Sequence, residues 1–215
     1  MEPAGRQHPG PRLRQVPGPS ATPSPATAVL VPVKAFRLAK QRLADALDQP
    51  ERAALARAMA SAVVAAAAPL PVAVVCDDEE VAAWAEKVGA LVLWRPGRGL
   101  NQACHDGVTA LAEAGCRRVV VAHADLPRAA SLAWVAAFPG ITIVPDRRDD
   151  GTNVLSLPTD AGFRFAYGGG SFRRHAAESR RLGLGLRVVR EPALGWDVDL
   201  PADLPGLVLP VSSPP

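Results

Sequence analysis

Most of the short signatures that settle the chemistry of an α/β chain are missing from this one. There is no GxxxxGKS or GxxxxGKT, which excludes a P-loop, and no GxGxxG behind the first hydrophobic run. No HExxH or GxSxG occurs, and His105, His123 and His175 have no evident Ser or Cys partner, so nucleophilic and zinc-hydrolase chemistry lack support. Cys76, Cys104 and Cys116 are odd in number and lack CxxC spacing, which fits buried thiols better than a disulfide framework or a zinc site. The longest apolar stretch, around 60–70, is alanine-rich, interrupted by Pro69 and too short to span a bilayer. The N-terminal arginines precede no apolar segment of a secretory signal, so a cytoplasmic protein without a membrane partner is expected. Aromatics are only 5% and the formal net charge is only +3, which argues against a nucleic-acid surface. Lysine is also scarce, and most of the positive charge is arginine.

What is present is hydrophobic material in a regular rhythm. The 215 residues are 48% apolar, enough for one ordinary domain and its core. Residues 1–27 are rich in Pro, Gly, Ser and Ala without apolar periodicity and are expected to be a disordered tail. Residues 28–208 are expected to fold, with 209–215 a second loose end. Strand-like runs are predicted at 28–33, 72–76, 91–94, 118–122, 141–144, 153–157 and 186–189. Helical patterns are predicted at 51–67, from the acids 77–80 to about 88, at 101–114, 131–138 and 171–182. Short connections and continuous apolar strands argue for a mostly parallel sheet with helices on both faces. Ligands bind beyond the carboxyl ends of such strands.

The groups that could carry chemistry all fall in loops after those strands. Lys34 follows the first strand directly, and Lys40 and Arg42 come soon after. They are candidate phosphate cations, or else Lys40 and Arg42 lie on an exposed helical face. Asp125 closes the valine run 118–122. Asp197 and Asp199, two apart, face one side if extended, and with a third carboxylate they would form an oxygen-rich site for Mg²⁺. The alternative for Asp199 is a cap on a helix starting at Pro201. Thr152 lies in the turn Asp150-Gly151-Thr152-Asn153. Gly168-Gly169-Gly170-Ser171 leads into a helix and could either bind an anion or simply cap it. Arg173, Arg174 and His175 could add charge there or face water, and His123 reads as a packing or hydrogen-bonding residue. Cationic loops, a carboxylate cluster and a glycine anion site together suit phosphoryl or nucleotidyl transfer.

These motifs resemble the guanylyltransferases of deazaflavin coenzyme F-420 biosynthesis, which act on 2-phospho-L-lactate or phosphoenolpyruvate. The likeness rests on VPVKAFRLAKQRLA at 31–44, GLN at 99–101, ADLP at 124–127, DGTN at 150–153, YGGGSFRRH at 167–175 and WDVDLPADL at 196–204. It implies a GT-A-like, molybdenum-cofactor guanylyltransferase-like α/β fold and transfer from GTP with release of pyrophosphate. It also implies Mg²⁺ on Asp125, Asp197 and Asp199, and acid binding by Thr152, Gly168 and Ser171. Lys34 would act with Asp125 at the reacting groups. Lys40, Arg42, Gly99, Leu100 and Asn101 would lie against the nucleotide, and a downstream deazaflavin transferase would be a partner. Two positions depart from the family pattern: Gln41 stands where a small hydroxyl residue is common, and Gly169 where proline is common. The Ala-, Arg- and Pro-rich composition suggests a high-GC source, which favours phosphoenolpyruvate as acceptor. A GT-A sugar transferase and an inactive nucleotide-binding subunit are the alternatives.

Overall fold

A computed structural model of the chain describes residues 26–204. The expected domain end at Val208 and nearly all of both expected tails lie outside that range. The first strand, β1 (Thr27–Pro32), shows why the apolar runs are continuous. Its alternate residues feed two different cores. Val29 and Val31 pack beneath Ala56, Ala60 and Val63, while Ala28 and Leu30 pack against Cys104, Val108 and Leu111 on the opposite face. A strand covered on both sides has no polar face to display.

The layers follow from that division. Helices α1 (Gln49–Ala66) and α2 (Glu79–Lys87) cover one face, and α3 (Leu100–Glu113) and α4 (Ser171–Arg181) the other. Helix α1 begins with a capping box in which Asp48 accepts from Glu51 N and Glu51 accepts from Asp48 N, each at 2.8 Å. Asp78 caps α2 by accepting from Glu80 N and Val81 N. Gly107 of α3 lies close against β1, where an added Cβ would stand 2.7 Å from Leu30 Cδ2 and that side chain would have to move.

Strands β2 (Val72–Cys76), β3 (Leu91–Trp94), β4 (Arg118–Ala122), β5 (Ile141–Pro145), β6 (Thr152–Pro158) and β7 (Leu186–Val188) complete a seven-stranded sheet of order β3-β2-β1-β4-β6-β5-β7. All neighbours are parallel except β6, which runs against both β4 and β5. The expected mostly parallel sheet is therefore observed with one reversed strand. The short turn 146–151 accounts for the reversal, because a parallel crossover needs a dozen or more residues. The expected helix at 131–138 is a 3-10 segment, Ala133–Ala137, and a further short helix, α5 (Pro192–Gly195), was not anticipated. No helix among the described residues is long and apolar enough to cross a membrane.

Candidate active site

Beyond the carboxyl end of β1 the chain makes two 3-10 turns, Phe36–Leu38 and Gln41–Leu43, anchored by the fully buried side chains of Phe36 and Leu43. Between them Lys40 adopts a left-handed conformation, φ 53°. A non-glycine residue holds such a backbone only where its surroundings over-determine it. The Lys40 backbone carbonyl accepts from Leu43 N at 2.9 Å, and its side chain reaches a pair of carboxylates. Its ammonium lies 2.7 Å from Asp125 Oδ2 and 3.0 Å from Asp199 Oδ1, and Arg42 Nη1 stands 3.6 Å from Asp199 Oδ2. The expectation that Lys40 and Arg42 form only a solvated face is therefore not met for Lys40. Lys34, by contrast, is exposed at the wall of the cavity.

The Asp197–Asp199 segment is aimed by its middle residue. Val198 is fully buried against Leu43, Leu55 and Met59, and its N–H donates to Asp125 O at 3.3 Å. Asp197 and Asp199 line the opposite, cavity side. Arg147 clamps the same segment from β5's end. Its Nη1 donates to Asp197 O at 2.9 Å, its Nη2 bonds to Asp203, and its guanidinium lies 4.3 Å from the Trp196 ring centroid. Asp199 is not a helix cap. The nearly buried Asp203 carboxylate reaches back instead, accepting from Asp199 N and Leu200 N at 2.8 Å each.

The Asp150–Asn153 turn and the glycine loop form the remaining wall. Gly168 (φ 113°) and Gly170 (φ 72°) adopt positive φ that a side chain would resist. Three ties fix the loop. Gly170 N donates to Asp150 Oδ2 at 2.9 Å, Tyr167 N donates to Asn101 Oδ1 at 2.6 Å, and Arg174 donates to Ala166 O and Gly169 O. The side-chain oxygen of Asn101 is thus spent on the loop, and Gly99 serves as the N-cap of α3. Neither residue lines the cavities, whereas Leu100 does. His175 neither adds charge nor faces water; it is fully buried in α4.

Two cavities result, of about 560 and 440 Å³. The first is bounded by Lys34, Lys40, Leu100 and the 3-10 turns, the second by Arg148, Asp150, Thr152, Ser171 and Asp197. Arg42, His123, Asp125, Gly168 and Asp199 line both, so the two spaces meet at the carboxylates. Reasoning from sequence overlooked Arg147, Arg148 and Asp150 as site residues. Their signal was the run Asp146-Arg147-Arg148-Asp149-Asp150 directly after β5.

The charged lining is mixed, with Lys34, Lys40, Arg42 and Arg148 set against Asp125, Asp146, Asp150, Asp197 and Asp199. Burial acts to lower the Lys40 pKa, but Asp125 and Asp199 outweigh it and hold the ammonium charged. Burial acts to raise the Asp125 pKa, yet Lys40 and His123 bring it below the usual carboxylate range. Asp197 is raised, first by burial and then by Asp125. His123 is lowered by burial, and burial pushes the Cys76 thiol up to about 11 and that of Cys104 to about 12. None of these thiols is a ready nucleophile. Among the described residues no three His, Cys, Asp or Glu side chains converge as a preformed metal cluster. Asp125 Oδ1 and Asp197 Oδ1 nevertheless are buried oxygens with no hydrogen-bond partner. That donor set fits a hard divalent cation such as Mg²⁺, which commonly takes one or two carboxylates and completes its shell with water and substrate phosphate.

A three-layer α/β sheet with cations, carboxylates and a glycine loop at its carboxyl edge is an architecture shared with nucleotidyltransferases and nucleotide-sugar transferases of known structure. Residues 27–212 match the family model described as guanylyl transferase CofC like, and the chain belongs to that family. Relatives named phosphoenolpyruvate guanylyltransferase are 38% identical over 187 residues in Sphaerobacter thermophilus, covering 83% of this chain and 90% of the relative. Over 188 residues the Salinispora arenicola protein of that name is 40% identical, covering 82% and 85%. Of solved structures, a nucleotidyl transferase from Methanothermobacter thermautotroptrophicus has a TM-score of 0.58 at 17% identity, covering 83% and 94%. 4-Diphosphocytidyl-2C-methyl-D-erythritol synthase has a TM-score of 0.53 at 14%, covering 82% and 93%. The family and the α/β nucleotidyltransferase fold expected from the motifs are both borne out. Nucleotidyl transfer of this kind generally employs a divalent metal.

Proposed function

We propose that this chain transfers the guanylyl group of GTP to phosphoenolpyruvate, giving enolpyruvyl-diphospho-guanosine and pyrophosphate. The observation that carries the reading is the pair of cavities joined at Asp125 and Asp199, one lined by Lys34, Lys40 and Arg42 and the other by Arg148, the Thr152 and Ser171 hydroxyls and the glycine loop. GTP occupies the first, its triphosphate against Lys34, Lys40 and Arg42, with Leu100 at the nucleotide's edge and Gly99 and Asn101 behind it, as the N-cap of α3 and the anchor of the glycine loop. The acid occupies the second, its phosphate and carboxylate against Thr152, Gly168 and Ser171. Asp125, Asp197 and Asp199 would hold Mg²⁺, which would supply charge neutralisation to the phosphates as they react.

A phosphate oxygen of the acid attacks the α-phosphorus of GTP. The new P–O–P bond forms as the α–β anhydride breaks, and pyrophosphate leaves. That nucleophile is already ionised, since a phosphate's second pKa is about 6, so no general base is required. The neutral His123 and the raised cysteines are consistent with that economy. The product suits a downstream deazaflavin transferase in coenzyme F-420 biosynthesis.

The test mixes the protein with Mg²⁺, GTP and either phosphoenolpyruvate or 2-phospho-L-lactate and follows pyrophosphate release. Release with phosphoenolpyruvate is expected. Release with 2-phospho-L-lactate alone would move the assignment to that acid, and release with neither would overturn it. Transfer from a sugar nucleotide without pyrophosphate would indicate the sugar-transferase reading.

A further inference from the structure

We propose that His175, buried behind the wall of the acid cavity, is a positioning residue that fixes the direction in which the Thr152 hydroxyl donates. The argument is one of proton counting. His175 Nε2 accepts the backbone N–H of Ala166 at 3.0 Å, so that nitrogen carries no proton. A neutral imidazole then has its only proton on Nδ1, which stands 3.0 Å from Thr152 Oγ1. Thr152 must therefore accept from His175, and its own hydroxyl proton is left to donate elsewhere. Thr152 forms part of the wall of the second cavity beside Asp150, Gly168 and Ser171, and its side chain is otherwise buried. The hydroxyl is thereby set as a donor toward an anionic oxygen. A doubly protonated ring would lose the Ala166 bond, and burial, which lowers the His175 pKa to about 4, keeps the ring neutral.

The ring also lies 4.8 Å from the ring of Tyr167 and 5.5 Å from that of Phe163, centroid to centroid, so packing opposes reorientation. Thr152 and His175 come from a strand start and a helix interior that only the fold brings together. The identity of the acid rests on the functional reading above; the tautomer does not.

Two measurements test the proposal. The first is the long-range ¹H–¹⁵N spectrum of the folded protein without ligand, with the His175 signals identified by their loss in His175→Phe. A protonated Nδ1 and bare Nε2 are expected, and a protonated Nε2 would overturn the inference whatever the enzyme's substrate. The second is direct titration of phosphoenolpyruvate, together with KM for each substrate, in Thr152→Val, His175→Phe, the double variant and His175→Asn. Loss of a hydrogen bond to a charged group predicts acid affinity weaker by about ten- to hundredfold in each single variant, with KM for GTP changed by less than about twofold. The double variant should be no worse than Thr152→Val, and His175→Asn, whose amide N–H replaces Nδ1–H, should recover most of the affinity. Additive losses, or an equal rise in the KM for GTP, would show that His175 does not act through Thr152. If the native protein binds no phospho-acid at all, the functional reading fails, while the spectrum still decides the tautomer.

Discussion

Replacing Arg147 by alanine should cost the protein more than a surface arginine normally would, because its guanidinium serves three neighbours at once. Its side chain is only 25% exposed and that of its partner Asp203 only 2%. The lost charge-assisted hydrogen bond to Asp197 O is worth about 1.5 kcal/mol, and the lost stacking on Trp196 about 1 kcal/mol. Removing one partner of a buried ion pair costs about 3–5 kcal/mol when the other is left alone. Asp203 is not left alone: Arg148 stands 3.4 Å away and two backbone N–H groups remain at 2.8 Å. A total near 3 kcal/mol is therefore expected after discounting for that compensation and for non-additivity. For a domain of this size that lowers Tm by about 6–12 °C. Thermal unfolding followed by circular dichroism reads it, with Arg147→Lys as the control that keeps charge but loses the planar fork, and falls between. A Tm within about 2 °C of the parent in Arg147→Ala would refute the clamp, whatever happened to activity.

Two further predictions follow from the charges of the site. Lys40→Met should bind Mn²⁺ without nucleotide about tenfold more tightly, since the ammonium no longer competes for Asp125 and Asp199, while turnover falls sharply; unchanged Mn²⁺ affinity in calorimetry would count against competition. His175 gives a pH signature. Its folded pKa of about 4 lies below the unfolded value near 6.5, so between those values the unfolded chain binds the extra proton and stability falls as pH falls. The part due to His175 should total about 3 kcal/mol across that window and be restored above about pH 6.5; it is read as the difference between the urea-denaturation profiles of the parent and of His175→Phe, which keeps the contribution of His123, also lowered by burial.

Much of the architecture was legible because β1, β2 and β4 are continuous apolar runs, and because the acids 77–80 mark the start of α2; the Asp48 capping box that starts α1 at Gln49 was overlooked. The positions of Asp125, Thr152, Gly168, Ser171 and Leu100 could be read for the same reason: they follow strands or open helices. Pairings across distance were not legible. Lys40 meets residues 85 and 159 positions away, and no local pattern distinguishes it from Lys34, which the strand end had favoured. His175 sits between arginines in a polar helix, so its burial depends on where α4 lands on the sheet. The clasp of Asp203 by Arg147 joins residues 56 positions apart and needed β5 to be placed. The reversal of β6 could have been found, since the turn before it is too short for a crossover.

That reversal has a wider consequence. Because β6 runs against β4, pairing Val154 with Ala122, its opening residues Thr152 and Asn153 lie beside the closing residues of β4. The acid half of the proposed site is thus delivered by a hairpin turn, 146–151, with the glycine loop tied to it through Asp150. The nucleotide half hangs from the connections after β1 and β3. The two halves come from different parts of the chain and meet along Asp125, Asp199 and their neighbours, with one further tie from Tyr167 N to Asn101. Acceptor preference can therefore diverge among descendants by changes in one hairpin and one loop, while the donor half and the meeting point between them stay as they are.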